Sequence, residues 1–403
     1  MIASAAPRSR SPWPVVVIGL VALAIAMGIG RFAFTPMMPL MLRDGTLSAV
    51  AGTEWAAANY AGYLAGALSA SLFARDPRRG LQVGLVGVVL TTLAIAWIDI
   101  DHNLYGLFLR TAAGVLSAWV LVCASSWCLS ELARRHATAL GGWMYIGVGS
   151  GIAFTGLMTW LGGTQPARML WIELGLLAAL GSLYVLRSLG REGGRQDGQG
   201  APGAAASVPS PPPPAGGGNL GLVLCYSAFG FGYIIPATYL PTMARQLVDD
   251  PLVFGLTWPI FGTAAALSVA VVARWLAGRS HRRIWAVAQG IMAIGTALPL
   301  LQPQLWVLAA SAVLVGGTFM VTTMGGLQLA RERAPANPTA LLARMTAGFA
   351  AGQIAGPLLV RLIGTRAPFG WSALDCASAL ATLALAVSAL WLWKSAAGRE
   401  PAS

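Results

Sequence analysis

Long apolar stretches recur along the whole chain, and they constrain its fold more than any other feature of the sequence. Each is about twenty residues long, which lets a helix cross a bilayer at about 1.5 Å per residue. Because lipid offers the backbone no hydrogen bonds, helices are the structure that such stretches adopt. The sequence therefore predicts an all-α integral membrane protein with twelve transmembrane helices. We place them at 14–41, 51–74, 80–99, 103–128, 138–161, 167–187, 219–244, 253–276, 284–301, 304–329, 338–363 and 368–393.

The charged residues are few and unevenly distributed. Only 10% of the residues are charged and 56% are hydrophobic, whereas a soluble domain is about one quarter charged. Of the 26 Lys and Arg residues, 18 lie in or next to the connections on the side of residue 1, and 5 in or next to those on the other side. This bias predicts a multi-pass protein of the bacterial-type inner membrane with both termini in the cytoplasm. The same scatter over many connections argues against nucleic-acid binding, despite the net charge of +12.

Residues typical of metal, cofactor and catalytic sites form no recognisable pattern. The four cysteines form no CxxC pair, and the three histidines stand singly in or beside connections. The sequence shows no Walker motif and no Ser/His/Asp or paired-acid arrangement within the spans. We therefore expect no cofactor, no metal and no enzymatic activity, and a monomer in the lipid bilayer.

The chain is written as two similar halves. A Gly/Pro-rich segment at 191–218 divides six spans from six, and its composition is typical of a flexible linker. We assign 1–190 to an N-terminal six-helix half and 219–403 to a C-terminal six-helix half, which predicts two pseudo-symmetric bundles. The first and seventh spans share a pattern at one constant offset. The matching pairs are Gly28 and Gly230, Gly30 and Gly232, Pro39 and Pro241, and Met41 and Met243.

These features together resemble the major facilitator superfamily. The segment LRTAAGVLSA resembles the superfamily's fourth-helix signature, an arginine followed four residues later by glycine, here Arg110 and Gly114. The segments GIGRFAFTPMMPLM, AANYAGYLAGAL and GFGYIIPATYLP resemble its YbfB/YjiJ branch. The resemblance implies a secondary transporter that works by alternating access on a small-molecule substrate, with a proton as coupling ion or with the substrate gradient alone. It also implies that helices 1, 2, 4, 5, 7, 8, 10 and 11 line the central cavity.

Arg31 is the leading candidate for substrate contact. It lies roughly 25 Å along a helix that starts near residue 14, far from both membrane surfaces. Intramembrane arginines usually face a bundle interior or a water-filled cavity. The structural alternative is an arginine that pairs with carbonyl groups exposed by nearby prolines. The predicted hinge or gating residues around it and in the seventh span are Gly28, Gly30, Pro36, Pro39, Gly230, Gly232 and Pro241.

Other polar residues deep in the inner helices complete the candidate substrate site. No carboxylate occurs deep in those helices, so two arginines in one cavity favour an anionic substrate. Efflux of drug-like or apolar metabolites remains an alternative, and a membrane sensor that binds a ligand without moving it is an alternative of another class. The direction of transport stays open. The candidate substrate-binding residues are Arg31, Asn59, Tyr60, Tyr63, Arg110, Tyr233 and Gln353.

The arginine bias predicts the topology directly. A reporter fused after Ser403 and an epitope tag inserted within Pro211–Pro214 should both report a cytoplasmic location, because basic connections stay on that side of the membrane. Protease protection in inverted and right-side-out vesicles measures this. An external location for either tag would contradict the division into six plus six spans.

Overall fold

A computed structural model describes residues 11–73, 75–193, 219–248, 255–275, 279–333, 339–364 and 370–397. The predicted linker lies outside the described residues from 194 to 218. Within the described residues the chain forms twelve long helices that we number in order. They are α1 Trp13–Arg43, α2 Ala49–Ser69, α3 Pro77–Ala94, α4 Asn103–Arg134, α5 Ile146–Leu161, α6 Ala167–Gly193, α7 Leu220–Leu247, α8 Thr257–Trp275, α9 His281–Leu301, α10 Leu305–Arg333, α11 Thr339–Ile363 and α12 Ala373–Ala397.

The twelve predicted spans are confirmed, each to within a few residues. In the part of the chain that the structure describes, ten helices are long and apolar enough to cross a membrane. The other two are α2, which carries several polar side chains, and α8, whose apolar part covers Thr257–Val272. The predicted fifth span begins with a 3-10 segment, Thr138–Tyr145, before α5. The first span is not a uniform α-helix, since its middle winds into a π-helix at Ala24–Phe32.

Polar residues at the helix starts take up the first free backbone N–H groups. The Ser48 hydroxyl accepts a hydrogen bond from the Ala51 N–H at the start of α2. Asp76 does the same for α3, directly before Pro77, which needs no acceptor. Asp375 accepts from both the N–H and the hydroxyl of Ser372. That carboxylate therefore serves a helix end, one of the roles that its position in the sequence predicts.

Four helices line the outside of the bundle, and the other eight form its interior. The helices α3, α6, α9 and α12 make their main contacts within their own half. Contacts between the halves are made mainly by α5 against α8 and by α2 against α11, with α1 against α7. This is the arrangement that the family resemblance implies, and it places the ends of the two repeated spans, α1 and α7, next to each other at the seam.

The terminal face, where α1 begins and α12 ends, holds a charge network within the N-terminal half. Glu131, near the end of α4, is buried and forms ion pairs with Arg134 and Arg135. Arg135 also pairs with Glu192 of α6 at 2.6 Å and donates to the Ser11 carbonyl at 2.9 Å. The network ties α4, α6 and the segment before α1 into one unit, because each partner would otherwise be a poorly solvated charge.

At the opposite, distal face the two halves are joined by polar contacts. Glu54 of α2 pairs with Arg361 of α11 at 2.7 Å. Arg245 of α7 donates to the Pro39 carbonyl of α1 at 2.8 Å. Among the described residues, these bonds between halves lie toward the distal face, whereas the printed ion pairs of the terminal face stay within one half. The structure is therefore closed at its distal face.

Glycines let α5 and α8 approach closely across the seam. A β-carbon at Gly149 would lie 2.3 Å from the Ala266 nitrogen, and one at Gly156 would lie 2.5 Å from the Pro259 nitrogen. Helices without a strong hydrophobic drive between them associate through such small residues. The glycine-rich fifth span is thus explained by packing between the halves.

The motif glycine Gly114 allows a similar approach of α4 to α2, and this gives a matched test. A β-carbon there would lie 2.2 Å from the Asn59 carbonyl oxygen, whereas one at Gly190 in α6 would meet nothing within 4 Å. We expect Gly114→Ala to destabilise the protein by about 1–3 kcal/mol through overpacking. Gly190→Ala should be neutral or slightly stabilising. Melting temperatures of both variants in detergent measure the difference, and equal values would contradict the close packing at Gly114.

Candidate functional site

Arg31 lies in the π-helical segment of α1, near the middle of the bundle. Gly28 of the same segment faces α5 so closely that a β-carbon there would lie 2.4 Å from the Gly151 carbonyl carbon. A π-turn inserts an extra residue into a helix and redirects the side chains around it, which is why such turns are frequent at functional sites. Only 3% of Arg31 is exposed, so its guanidinium points into the protein and not to a membrane surface.

The guanidinium of Arg31 is held by aromatic rings and by one amide. It lies 3.7 Å from the ring centroid of Tyr63, and 5.0 and 5.9 Å from those of Phe32 and Tyr60. Its Nη2 donates a 2.7 Å hydrogen bond to Oε1 of Gln353, which lies on α11 in the other half. Cation–π contacts of this kind stabilise a desolvated guanidinium. The site therefore spans the seam between the two halves.

No carboxylate neutralises Arg31 within the described residues. The ion pairs found there involve other arginines, and the Nε–H of Arg31 has no hydrogen-bond partner. In the same part of the chain, no three His, Cys, Asp or Glu side chains come together as metal ligands would. A buried cation without a counter-ion is costly, and a bound anion would remove that cost. The arrangement favours an anion as the ligand.

Gln353 continues the polar contact into the C-terminal half. Its side-chain nitrogen donates to the Tyr233 hydroxyl at 2.5 Å. The Tyr233 ring is stacked between Phe319 and Phe349, with both centroids 5.7 Å away and both interplanar angles at 8°. Arg31, Gln353 and Tyr233 thus form one hydrogen-bonded chain across the seam, and its far end is fixed by aromatic packing.

Aromatic rings line the C-terminal side of this site. Neighbouring centroids lie 5.0 to 6.4 Å apart, so the rings form a continuous cluster from α7 through α10 and α8 to α1. The sequence analysis did not single out most of these rings, because phenylalanine in an apolar span is typical of any helix contact. The members of the cluster are Phe32, Tyr226, Phe229, Tyr233, Trp258, Phe261, Phe319 and Phe349.

Arg110 is buried as well, but it serves the backbone of α1. Its two terminal nitrogens donate to the carbonyls of Gly30 at 3.3 Å and Arg31 at 3.1 Å. In a π-helix the carbonyl of Arg31 would accept from residue 36, and Pro36 has no N–H to donate. The role of an arginine paired to proline-freed carbonyls, which the sequence left open for Arg31, is therefore taken by Arg110. Its guanidinium also lies 4.6 Å from the Phe34 ring.

Two further predicted residues hold helices together. The Asn59 side-chain nitrogen donates to the Arg110 carbonyl at 2.9 Å, which links α2 to α4 within one half. The Tyr60 hydroxyl forms a 2.9 Å hydrogen bond with the hydroxyl of Thr238, which links α2 to α7 across the seam. Thr238 was not predicted, and only the pairing of the helices identifies it. Of the predicted substrate residues, the structure brings Arg31, Tyr60, Tyr63, Tyr233 and Gln353 together at the seam.

The predicted hinge glycines lie where α1 or α7 packs against another helix of the same half. A β-carbon at Gly230 would lie 2.2 Å from the Phe349 carbonyl oxygen, and one at Gly232 would lie 2.3 Å from Cγ of Leu385. Gly28 and Gly30 are equally crowded. The prolines Pro36, Pro39 and Pro241 are buried within helical turns. Packing explains all four glycines, and a role in bending stays a prediction for the whole set.

The fold and the central site define the class of protein: a secondary transporter of the major facilitator type, and not an enzyme. The D-xylose-proton symporter, a solved structure, superimposes with a TM-score of 0.70 over 95% of this chain and 97% of its own, at 13% sequence identity. A comparison with curated proteins finds no match. Residues 23–391 match the family described as the uncharacterised MFS-type transporter YbfB. The chain belongs to that family and is a multi-pass membrane protein.

Arg110 should behave as a structural residue. Arg110→Ala leaves two buried carbonyls of α1 without donors, at about 1–3 kcal/mol for each lost partner, so we expect a clearly lower melting temperature in detergent. Arg344→Ala is the matched control, because Arg344 is an exposed arginine of α11 and its removal should leave the melting temperature unchanged. An Arg110→Ala protein as stable as the control would contradict this role and return Arg110 to the candidate ligand contacts.

Proposed function

We propose that the protein moves a small organic anion across the inner membrane by alternating access, with both chain termini in the cytoplasm. One observation carries the proposal: the buried Arg31 guanidinium at the seam has an amide and aromatic rings as partners and no carboxylate among the described residues. A carboxylate or phosphate group fits a guanidinium through two parallel hydrogen bonds. The substrate then supplies the negative charge that the site lacks.

The surroundings of Arg31 suit an anion with an organic body. Tyr63 covers one face of the guanidinium at 3.7 Å, and Tyr233 with its flanking phenylalanines forms an apolar wall nearby. Binding sites for small molecules combine such apolar walls with a few polar groups that fix the orientation of the ligand. Arg31 supplies the orientation, and the rings supply contact for the remainder of the substrate.

The position of the site between the halves suits alternating access. Arg31 belongs to α1, and its partner Gln353 belongs to α11 of the other half, so a ligand there contacts both bundles. The distal contacts of Glu54 with Arg361 and of Arg245 with Pro39 would separate when the halves rock the other way. We include a proton as the coupling ion on grounds of family membership, and the direction of transport is left open.

The role of Arg31 can be tested by substitution. Arg31→Ala should leave a folded protein that has lost most of its anion binding, because truncating a buried charged contact costs about 2–5 kcal/mol. Arg31→Lys should recover only part, since an ammonium cannot form the two-pronged contact. Tyr233→Phe should cost about 1 kcal/mol, the value of one neutral hydroxyl contact. Melting temperature and ligand affinity, measured on the same purified variants, separate loss of folding from loss of binding.

Flux in proteoliposomes tests transport itself. A thermal-shift screen of carboxylates, phosphates, amines and apolar compounds identifies a ligand, since a compound that binds the folded state raises its melting temperature. Its labelled form should then accumulate in vesicles that contain the wild-type protein and not in those with Arg31→Ala. Normal affinity in a folded Arg31→Ala protein would end the anion proposal. Binding without flux would favour a sensor, and a screen in which only apolar compounds bind would favour efflux of apolar metabolites.

A further inference from the structure

The amide of Gln353 is held in one orientation by its two neighbours. Arginine can only donate hydrogen bonds, so the atom 2.7 Å from Nη2 of Arg31 has to be the amide oxygen. The amide nitrogen therefore faces the Tyr233 hydroxyl, 2.5 Å away. The side chain is fully buried, so water does not compete for either contact. Gln353 thus presents to Arg31 one neutral oxygen, on the side where the site would receive an anion.

Tyr233 cannot move away to release this amide, since its ring is stacked on both faces. Phe319 and Phe349 each lie parallel to it at 5.7 Å. Its hydroxyl accepts the proton of the amide and retains its own O–H, which has no acceptor among the described residues. The Tyr233 hydroxyl can therefore donate to an incoming ligand as soon as Gln353 has turned aside.

We propose that Gln353 is a displaceable internal ligand of Arg31: in the empty transporter its amide oxygen occupies the place of the substrate's anionic group. The proposal rests on the proposed function, in which Arg31 binds a substrate anion. When the anion arrives, its oxygens replace the amide on Arg31, and the hydrogen-bonded chain from α1 to α11 is broken. Gln353 thereby sets the affinity of the site and links its occupancy to the contact between the two halves.

The exchange is favourable because the two ligands differ in charge. Hydrogen bonds from a guanidinium to a carboxylate or phosphate are about twice as strong as those to a neutral acceptor, and they can form in pairs. The internal amide nevertheless reduces the apparent affinity, since only the fraction of molecules with Arg31 released can bind the anion. A weak neutral occupant also keeps the buried guanidinium partly satisfied while the site is empty.

The first test removes the amide and keeps the volume. Gln353→Met has an unbranched side chain of similar size and no hydrogen-bonding oxygen that competes for Arg31. We expect it to bind anions about tenfold more tightly, a change of about 1.4 kcal/mol. Affinities for benzoate, succinate and inorganic phosphate are measured by thermal shift and calorimetry on the full chain. Each of these probes presents an anionic group, and the three differ in their organic part.

A matched control exists in the same half. Gln289 of α9 is also fully buried, and its amide bonds with Trp285 and Ser388 instead of the seam. Gln289→Met should lower the melting temperature without tightening the binding of any probe. An equal gain of affinity in both variants would overturn the proposal, because it would then follow from a general loosening of the C-terminal half.

The second test makes the internal ligand anionic. Gln353→Glu places a carboxylate beside Arg31, so binding of the three probes should fall at least tenfold at neutral pH and the melting temperature should rise. The rise should vanish when Arg31→Met is combined with Gln353→Glu, since the glutamate then has no partner. A Gln353→Glu protein that binds anions like the wild type would overturn the proposal.

The outcomes separate this inference from the proposed function. If Gln353→Met weakens anion binding as Arg31→Ala does, Gln353 is a direct substrate contact, and the inference fails while the anion function stands. If the wild-type protein binds none of the anionic probes and Arg31→Ala changes no transport, the proposed function fails and the inference falls with it. Tighter binding in Gln353→Met, together with unchanged binding in Gln289→Met, supports both.

Discussion

A charged guanidinium inside the bundle has to find hydrogen-bond acceptors there, and this requirement organises the centre of the protein. Arg31 finds its acceptor on the opposite half, at the amide oxygen of Gln353, and rests on the ring of Tyr63 in its own half. The contact therefore crosses the seam along which a transporter of this family has to move. A neutral acceptor leaves the charge unbalanced, and the same position can hold an anion. The stability of the empty site and its affinity for a substrate depend on one group.

The second buried arginine shows why the first can be spared for a ligand. The wide turn of α1 and the proline that follows leave carbonyl groups without donors, and Arg110 supplies donors to two of them from α4. A helix distorted at its middle is thus held by its neighbour, and Arg31 is free to point toward the seam. The two arginines have the same chemistry and opposite tasks, and the difference is the direction in which each side chain leaves its helix.

The contacts around the centre divide into those within a half and those between halves. The Glu131 network and the close approach of α2 to α4 at Gly114 hold the N-terminal half together. Between the halves, glycines of α5 and α8 allow backbone contact, while ion pairs and hydrogen bonds join the distal face. Backbone packing through small residues involves few directional bonds, so halves of this kind can slide or rock more easily than they can deform. The distribution of bonds fits two bundles that move as units.

The sequence by itself determined the twelve spans, the two halves and the importance of Arg31, because the length of an apolar run and the cost of a charge in lipid do not depend on neighbouring helices. It did not reveal the π-turn of α1, the aromatic cluster with Phe319 and Phe349, or the partner of Arg110, although Arg110 and Gln353 were both named as candidates. Those features depend on the rotation and tilt of each helix against the others. In a span that is apolar all round, hydrophobicity does not reveal which face turns inward, so only the tertiary structure decided which polar groups meet.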